Sequence, residues 1–331
     1  MIILGIESSC DDCSASIVKD GNQVLSIVIA GQEKYHRKFG GVVPEIAARK
    51  HLEHILPVIN HSFDKSGCTW KDIDGIAVTH QPGLAGSLIV GLTAAKTLAF
   101  LHKKPLIGIH HIEAHAFSAC LAGMRYGTPH IALVVSGGHT SLLRFDSEGN
   151  IHRIGQTLDD AAGEAFDKVA KLLGYGYPGG PIIDRLALES PATDIVFPRP
   201  MMNSNDFNFS FSGLKTAIMY YRKHHPHTAA SEIAAAFQNA VIEVLVTKTL
   251  QALTKFNLDT LAVVGGVASN QGLRQAFHQM SAKHNLELYV PSPKLCTDNA
   301  AMVAGLGYYK LKHNKTSKLT LGIKTNADIK N

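Results

Sequence analysis

The chain has 331 residues, of which 45% are hydrophobic and 18% charged, and its formal net charge is +5. This composition is that of a globular protein and excludes a largely disordered or collagen-like chain. A chain of this length exceeds the size that one hydrophobic core usually serves, so the sequence predicts two domains. The mild basic excess is compatible with nucleic-acid binding without establishing it. Its local groups are residues 34–38, 102–104, 222–225 and 310–318.

Several features predict a protein of the cytoplasm that does not cross a membrane. The first residues lack the basic segment and the apolar run of a secretory signal. The apolar segment 84–101 is interrupted by Lys96 and by glycines, which predicts a buried helix. The five cysteines, an odd number, argue against a disulfide framework. Cys10 and Cys13 form an isolated C-x-x-C pair, for which a structural role is favoured over a zinc ribbon or a redox site.

The first half of the chain predicts a three-stranded meander followed by a helix, a strand and a second helix. The strands are 2–7, 15–18 and 24–30, the helix is 44–59, the buried strand is 73–79, and residues 81–86 open the second helix.

A similar order of elements begins again at His130. Predicted strands at 131–135, 141–145 and 151–157 are followed by helices at 161–173, 182–189 and 231–254, a strand at 260–264 and a helix at 271–280. The order of elements, rather than residue identity, therefore predicts a weak internal repeat.

Each half opens with a strand, a tight polar turn and a returning strand. Backbone N–H groups in such a turn can surround a phosphate, although a plain hairpin turn is the alternative for any one of them. The turn at 265–270 follows a strand and precedes a helix, a position at which glycines allow a ligand close to the backbone. Two facing turns would hold a nucleotide phosphate, and Asp167 and Asp184 flank a further glycine loop at 177–181 and are suited to bind ribose hydroxyls.

His111 and His115 are spaced to face the same side of a helix, which suits one transition metal. About one such pair arises by chance among the 18 histidines, so a helix that happens to carry two histidines is the alternative. In an HExxH protease the glutamate follows the first histidine. Here Glu113 lies two positions later, about 200° around the helix, which disfavours that peptidase chemistry.

Eight segments together resemble the universal tRNA threonylcarbamoyladenosine transferase family, formerly called O-sialoglycoprotein endopeptidases, and the bacterial form most closely. They are 5–12 (GIESSCDD), 40–45 (GGVVPE), 111–115 (HIEAH), 135–140 (VSGGHT), 159–168 (DDAAGEAFDK), 177–181 (YPGGP), 209–216 (FSFSGLKT) and 296–299 (CTDN).

The resemblance implies an α/β fold with two ribonuclease-H-like domains of the actin, sugar-kinase and chaperone-ATPase type around a central cleft. The first domain is expected at 1–128, with a C-terminal helix of about 298–331 returning to it, and the second at 129–297. One departure from the family is Gln81, at a position where a glycine is usual.

The resemblance also implies a metal site and a substrate site. Asp298 matches the family's metal-binding aspartate beside His111 and His115, and this ligand set suits Fe(II), with Zn(II) as the alternative. The implied substrate-binding residues are Val134, Val135, Ser136, Gly137, Gly138, Asp167, Gly180, Asp184 and Asn270.

The implied activity is transfer of threonylcarbamoyl from threonylcarbamoyl-adenylate to the exocyclic amine of the adenosine 3′ of the anticodon in tRNA, with release of AMP. A smaller non-catalytic paralogue and an ATPase subunit are the expected partners. The open alternatives are a phosphotransferase or ATPase of the same fold and a non-catalytic nucleotide-binding scaffold.

Overall fold

The computed structural model describes residues 1–148, 150–190, 193–327 and 329. The chain divides into two compact units. The first comprises Met1–Met124 and Thr297–Ile329, and the second comprises Arg125–Cys296.

The first unit contains a five-stranded mixed sheet of order β3-β2-β1-β4-β5. Strands β1 to β3 form the predicted antiparallel meander, and β4 and β5 add to it in parallel. The strands are β1 (Ile2–Glu7), β2 (Cys13–Lys19), β3 (Gln23–Ala30), β4 (Gly75–Gln81) and β5 (Leu106–His110).

The second unit repeats this topology with a sheet of order β10-β9-β6-β7-β8. Its first three strands are again antiparallel neighbours, and its last two again add in parallel. The strands are β6 (His130–Val135), β7 (Thr140–Phe145), β8 (Ile151–Gln156), β9 (Thr260–Val264) and β10 (Glu287–Tyr289). Both units therefore have the ribonuclease-H-like strand order, which confirms the predicted fold class and the internal repeat.

Helices connect and cover the strands of each sheet. In the first unit they are α1 (Glu33–His36), α2 (Pro44–Ser66), α3 (Ala85–Leu101), α4 (His111–Leu121) and α11 (Ala300–Lys312). In the second they are α5 (Ala162–Leu172), α6 (Gly179–Glu189), α7 (Ser212–His224), α8 (Ala230–Phe256), α9 (Gln271–His284) and α10 (Pro293–Cys296).

The C-terminal helix is shorter than the predicted 298–331. Helix α11 ends at Lys312, and Asn314 adopts a left-handed conformation with φ of 59°. Beyond it the chain lies along the first unit without helix, since Ser317 N donates to Leu106 O and Lys324 N donates to His80 O. The helical prediction was therefore wrong from residue 313 onward, and residues 328, 330 and 331 lie outside the described part.

Each unit has its own apolar core. In the first, Leu4, Ile6 and Ile17 of the sheet pack with Ile55 of α2. In the second, α8 lies in the centre and contributes Phe237. Among the described residues, α8 alone is long and apolar enough to cross a membrane, and 67% of its most apolar window is buried inside the protein. This burial is what the core helix of a globular domain shows.

Candidate functional site

The two histidines of the predicted metal site lie at the start of α4. Strand β5 ends at His110, and α4 begins with the next residue. The imidazole Nδ1 of His110 caps the helix by accepting from Ile112 N at 3.2 Å. His111 and His115 are one helical turn apart, and their ring centroids are 4.5 Å apart. Both rings are buried.

Asp298, just before α11, brings a carboxylate to this pair. Its Oδ1 lies 3.0 Å from His115 Nε2 and 3.6 Å from His111 Nε2. Ligand bonds of about 2.1 Å at angles between 90° and 109° place neighbouring ligand atoms roughly 3.0–3.4 Å apart. The ligand atoms of all three residues lie within 4.8 Å of one another. The three side chains thus fit one metal ion and leave further coordination positions to other ligands.

Glu7, at the end of β1, supports His111 from behind. Its Oε2 lies 3.2 Å from His111 Nδ1 and accepts from Thr79 Oγ1 at 2.6 Å. The Ser9 backbone N–H donates to its Oε1 at 2.6 Å. A carboxylate on the far nitrogen of a ligand histidine fixes the ring and strengthens it as a donor. Glu7 is therefore part of the site, although the sequence analysis did not identify it.

The charges around His111 are strongly coupled. Burial alone lowers the pKa of His111, but the carboxylates of Glu7 and Asp298 outweigh it and raise that pKa to about 9. Burial alone raises the pKa of Glu7, but the charge of His111 and its hydrogen bond bring it below the usual value. The pocket is thus built to hold positive charge beside these carboxylates.

Glu113 lies away from this cluster. Its Oε2 accepts from Lys310 Nζ of α11 at 2.5 Å. This ion pair links α4 to α11. The orientation of Glu113 away from the two histidines agrees with the sequence spacing that disfavours a peptidase of the HExxH type.

The turn between β1 and β2 carries two acidic side chains, Asp11 and Asp12. Burial together with the charges of Asp298 and Asp11 raises the pKa of Asp12 to about 8. Burial also raises the pKa of the Cys10 thiol well above its usual value, and that of Cys13 to about 12. Both cysteines are free thiols. These carboxylates favour a cation, so the phosphate-binding role predicted for this turn is not supported.

The corresponding turn of the second unit suits an anion. Val134 and Val135 lie in β6 with fully buried side chains, so only their backbone can meet a ligand. Ser136 N donates to His139 O at 2.8 Å and closes the turn. Gly137 and Gly138 are exposed, and a Cβ on either would meet no atom within 4 Å. Their N–H groups form no hydrogen bond with a described residue and are available to an anion.

The remaining predicted substrate residues lie in the loops and helices of the same unit. Asp167 Oδ1 accepts from Gly179 N at 2.6 Å, and Gly180 faces open space. Asp184 Oδ2 accepts from Gln271 N at 2.9 Å. The other oxygen, Asp184 Oδ1, is buried and forms no hydrogen bond with a described residue. It can therefore receive a hydroxyl of a ligand.

Asn270 is the last of these residues. Its Oδ1 caps α9 by accepting from Leu273 N, and its Nδ2 donates to Gln238 Oε1 at 2.6 Å. Both amide atoms are thus engaged by the protein, so Asn270 orders the loop before α9. Gln81, the departure from the family pattern, lies at a register shift in β4 beside His110.

Comparison with known proteins gives a consistent result. The model of the TsaD family, described as tRNA N6-adenosine threonylcarbamoyltransferase, matches residues 23–305. A protein of that name from Syntrophus aciditrophicus (strain SB) is 51% identical over 97% of this chain and 96% of its own length. Another, from Trichlorobacter lovleyi, is 50% identical over 93% of this chain and 91% of its own.

Solved structures share the fold at low sequence identity. HypF from T. kodakarensis has a TM-score of 0.67 at 13% identity, over 94% of this chain and 48% of its own. The activator of the 2-hydroxyisocaproyl-CoA dehydratase from Clostridium difficile has a TM-score of 0.56 at 15% identity, over 95% of this chain and 97% of its own. At these identities the likeness concerns the fold alone.

Proposed function

The chain belongs to the tRNA N6-adenosine threonylcarbamoyltransferase family, and on this premise we propose that it transfers a threonylcarbamoyl group to the exocyclic amine of an adenosine in tRNA. The donor is threonylcarbamoyl-adenylate, and the acceptor is the adenosine 3′ of the anticodon. The observation that carries the proposal is the cluster of the buried His111 and His115 with the partly exposed Asp298, whose ligand atoms lie within 4.8 Å of one another; Glu7 supports it.

The cluster fits a divalent metal with two nitrogen ligands and one oxygen ligand. Fe(II) suits this set best, with Zn(II) as the alternative. When bound, the metal supplies Lewis acidity and a template for the substrate oxygens. His111, His115 and Asp298 hold it, and the Glu7 carboxylate orients His111.

The second unit supplies the groups that bind the adenylate. The free N–H groups of Gly137 and Gly138 bind its phosphate. The unpartnered Oδ1 of Asp184 accepts from a ribose hydroxyl, and Asp167 lies at the neighbouring glycine loop with Gly180. Val134, Val135 and Ser136 contribute backbone, while Asn270 orders the adjoining loop.

The reaction follows from the chemistry of the donor. The adenosine N6 attacks the carbamoyl carbon of the mixed anhydride, and the bond from that carbon to the phosphate oxygen breaks. AMP leaves with the bonding electrons, and the attacking nitrogen loses a proton. The base must be splayed out of the tRNA loop to be reached.

The protein acts in the cytoplasm with two partners, a smaller non-catalytic paralogue and an ATPase subunit. The decisive experiment is mass spectrometry of tRNA nucleosides after reconstitution of this chain with donor, metal and those partners. Wild type is expected to form threonylcarbamoyladenosine, and His111→Ala and His115→Ala are expected to form none. Unmodified tRNA in the wild-type reaction, together with cleavage of a glycoprotein substrate that Glu113→Gln abolishes, contradicts the proposal.

A further inference from the structure

Helix α7 and the loop after it carry charge of one sign. Between Ser212 and Ser231 the chain has three Lys or Arg side chains, three histidines and neither Asp nor Glu. The six residues 222–227 are all exposed. The basic side chains are Lys215, Arg222 and Lys223.

These side chains share the outer side of the helix. At 100° per residue, Lys215, Met219, Arg222 and Lys223 fall within a stripe of about 100°. Leu214 and Ile218 lie beside this stripe, about 80° and 40° beyond Arg222 around the helix, and are fully buried. No carboxylate of the described residues pairs with the three cations. Met219 within the stripe and Tyr220, about 60° beyond Lys223, add exposed apolar surface.

Other basic groups of the chain have some of their positive charge neutralised by nearby carboxylates. Arg37 pairs with Glu33 at 2.6 Å, and Lys310 pairs with Glu113 at 2.5 Å. Lys104 contributes to holding the pKa of Asp72 below its usual value. The α7 surface, defined here as Lys215, residues 219–220 and residues 222–227, instead presents three positive charges that pair with no carboxylate of the described residues.

Two of its imidazoles are ordered by the helix itself. The Nδ1 atoms of His224 and His225 donate to the carbonyls of Tyr220 and Tyr221, at 2.9 and 3.1 Å. The His225 ring also stacks on Tyr221, with centroids 4.2 Å apart. Because Nδ1 is engaged in each ring, Nε2 remains to contact a ligand, and little side-chain freedom is lost on binding.

The α7 surface extends away from the anion-binding turn of the same unit. Asp159 holds the start of α7 through Ser210, Phe211 N and Ser212. The segment that contains Asp159 leads into α5, where Gly163 N donates to Ser136 O at 3.3 Å. At the other end, Arg222 donates to Leu172 O at the end of α5. At 1.5 Å per residue, Arg222 lies about 15 Å along α7 from its start.

We propose that the α7 surface binds the phosphodiester backbone of the tRNA substrate. A substrate whose reacting base enters the site must also be held by contacts beyond that base, and unpaired Lys and Arg beside aromatic rings suit nucleic-acid phosphates and bases. The inference rests on the proposed function and names the surface by which the acceptor is positioned.

The test compares charge-neutralised variants of the full-length chain in tRNA binding over a series of KCl concentrations. Arg222→Gln/Lys223→Gln is expected to weaken binding roughly tenfold near 0.1 M salt, and to reduce the slope of log Kd against log salt by about 1.5 for two lost phosphate contacts. Because Arg222 also donates to Leu172 O at the end of α5, Lys215→Gln/Lys223→Gln serves as a second double variant; these two lysines form no hydrogen bond or ion pair with a described residue. Lys65→Gln/Lys71→Gln, two exposed lysines of the first unit, is the matched control.

The same variants are assayed in the reconstituted transfer reaction. A raised KM for tRNA with unchanged kcat supports the proposal. The proposal is overturned if both double variants keep the wild-type tRNA affinity and salt slope. If they also lose binding to a partner protein, the surface is assigned to that protein instead. Failure of the proposed function differs, since wild type then modifies no tRNA at all.

Discussion

At the scale of single residues, the metal ligands depend on a carboxylate that does not itself join the cluster. Glu7 is completely buried and has three hydrogen-bond partners, His111, Thr79 and the Ser9 backbone. A buried carboxylate is costly unless it is paired and hydrogen-bonded. Glu7 is therefore buried here because it supports His111, and not because it stabilises the apolar core.

Glu7→Gln keeps the shape of this side chain and removes its charge. We expect metal affinity to fall by about 10- to 100-fold, because the supporting partner of a ligand histidine contributes on that scale. Titration against a chelator of known affinity measures the change. Glu113→Gln is the control, since Glu113 pairs with Lys310 away from the cluster. Equal metal affinity in both variants would show that Glu7 does not support the ligand.

His130 provides a pH-dependent prediction in the second unit. Burial lowers the pKa of His130 to about 4 from 6.5, although its hydrogen bond to Thr128 O opposes the shift. The unfolded chain therefore takes up this proton first, so the stability from the neutral ring is present above pH 6.5 and is lost as the pH falls toward 4. Between pH 7.5 and 5 the loss is about 2 kcal/mol.

His130→Phe keeps the stacking on Phe145 and removes the titration. We expect its free energy of unfolding, from urea titration, to fall by about 2 kcal/mol less than that of wild type between those two pH values. His278→Gln changes an exposed histidine of the same unit and should keep the wild-type dependence. An identical pH dependence in His130→Phe would refute the assignment.

At the scale of elements, α11 brings Asp298 to α4 because two glycines, Gly5 in β1 and Gly307 in α11, let this helix lie close against the sheet. A Cβ at Gly5 would overlap Ala300 O and lie 2.8 Å from Ala304 Cβ. A Cβ at Gly307 would likewise overlap Ala77 of β4. Asp298 directly precedes Asn299, the N-cap of α11. The close approach of this helix to the sheet thus determines the position of Asp298.

Gly5→Ala should therefore disturb both packing and the site. Overpacking of this kind costs about 1–3 kcal/mol, and displacement of α11 should also weaken metal binding through Asp298. Urea unfolding and metal titration measure the two effects. In Gly41→Ala the added Cβ meets no atom within 4 Å, so neither quantity should change. Wild-type metal affinity in Gly5→Ala would separate the site from this packing.

At the scale of the whole molecule, the proposed metal ligands and the proposed anion-binding turn belong to different units of a duplicated fold. The metal ligands come from 1–124 and 297–329, and the turn residues come from 125–296. The repeat has diverged in charge, because carboxylates crowd the β1–β2 turn whereas free N–H groups line the β6–β7 turn. Each unit thus offers groups suited to a different kind of ligand.

Variants in the two units should separate the two binding events. His115→Ala is expected to abolish metal binding and to leave affinity for AMP, an adenylate analogue that lacks the threonylcarbamoyl oxygens, within about twofold. Gly137→Val and Gly180→Val should weaken binding of the analogue and leave metal affinity unchanged. Little change in stability is expected, because both positions face open space. Calorimetric titration with metal and with analogue gives both quantities. Loss of both affinities in a folded His115→Ala protein would indicate a single interdependent site.

Local patterns in the sequence determined most of the elements and two of the three proposed metal ligands. Alternating or continuous apolar residues identified strands such as β1 and β9, and the spacing of His111 and His115 placed both on one side of a helix. These signals can be read from the sequence because they involve residues only a few positions apart in the chain. Strand β10, with three residues, is too short for such a signal, and β5 and α7 were also missed.

Only the tertiary structure decided how distant residues meet. Asp298 is 183 positions from His115 and Glu7 is 104 positions from His111, so no periodicity connects them. Resemblance to a family supplied Asp298, but neither it nor the pattern indicated Glu7, which looks in sequence like a polar residue ending a strand. Packing also decides how readily the acidic first turn ionises, because burial and the approach of Asp298 raise the pKa of Asp12. The sequence determines which groups are available, and close packing of α11 on the sheet determines which of them act on one another.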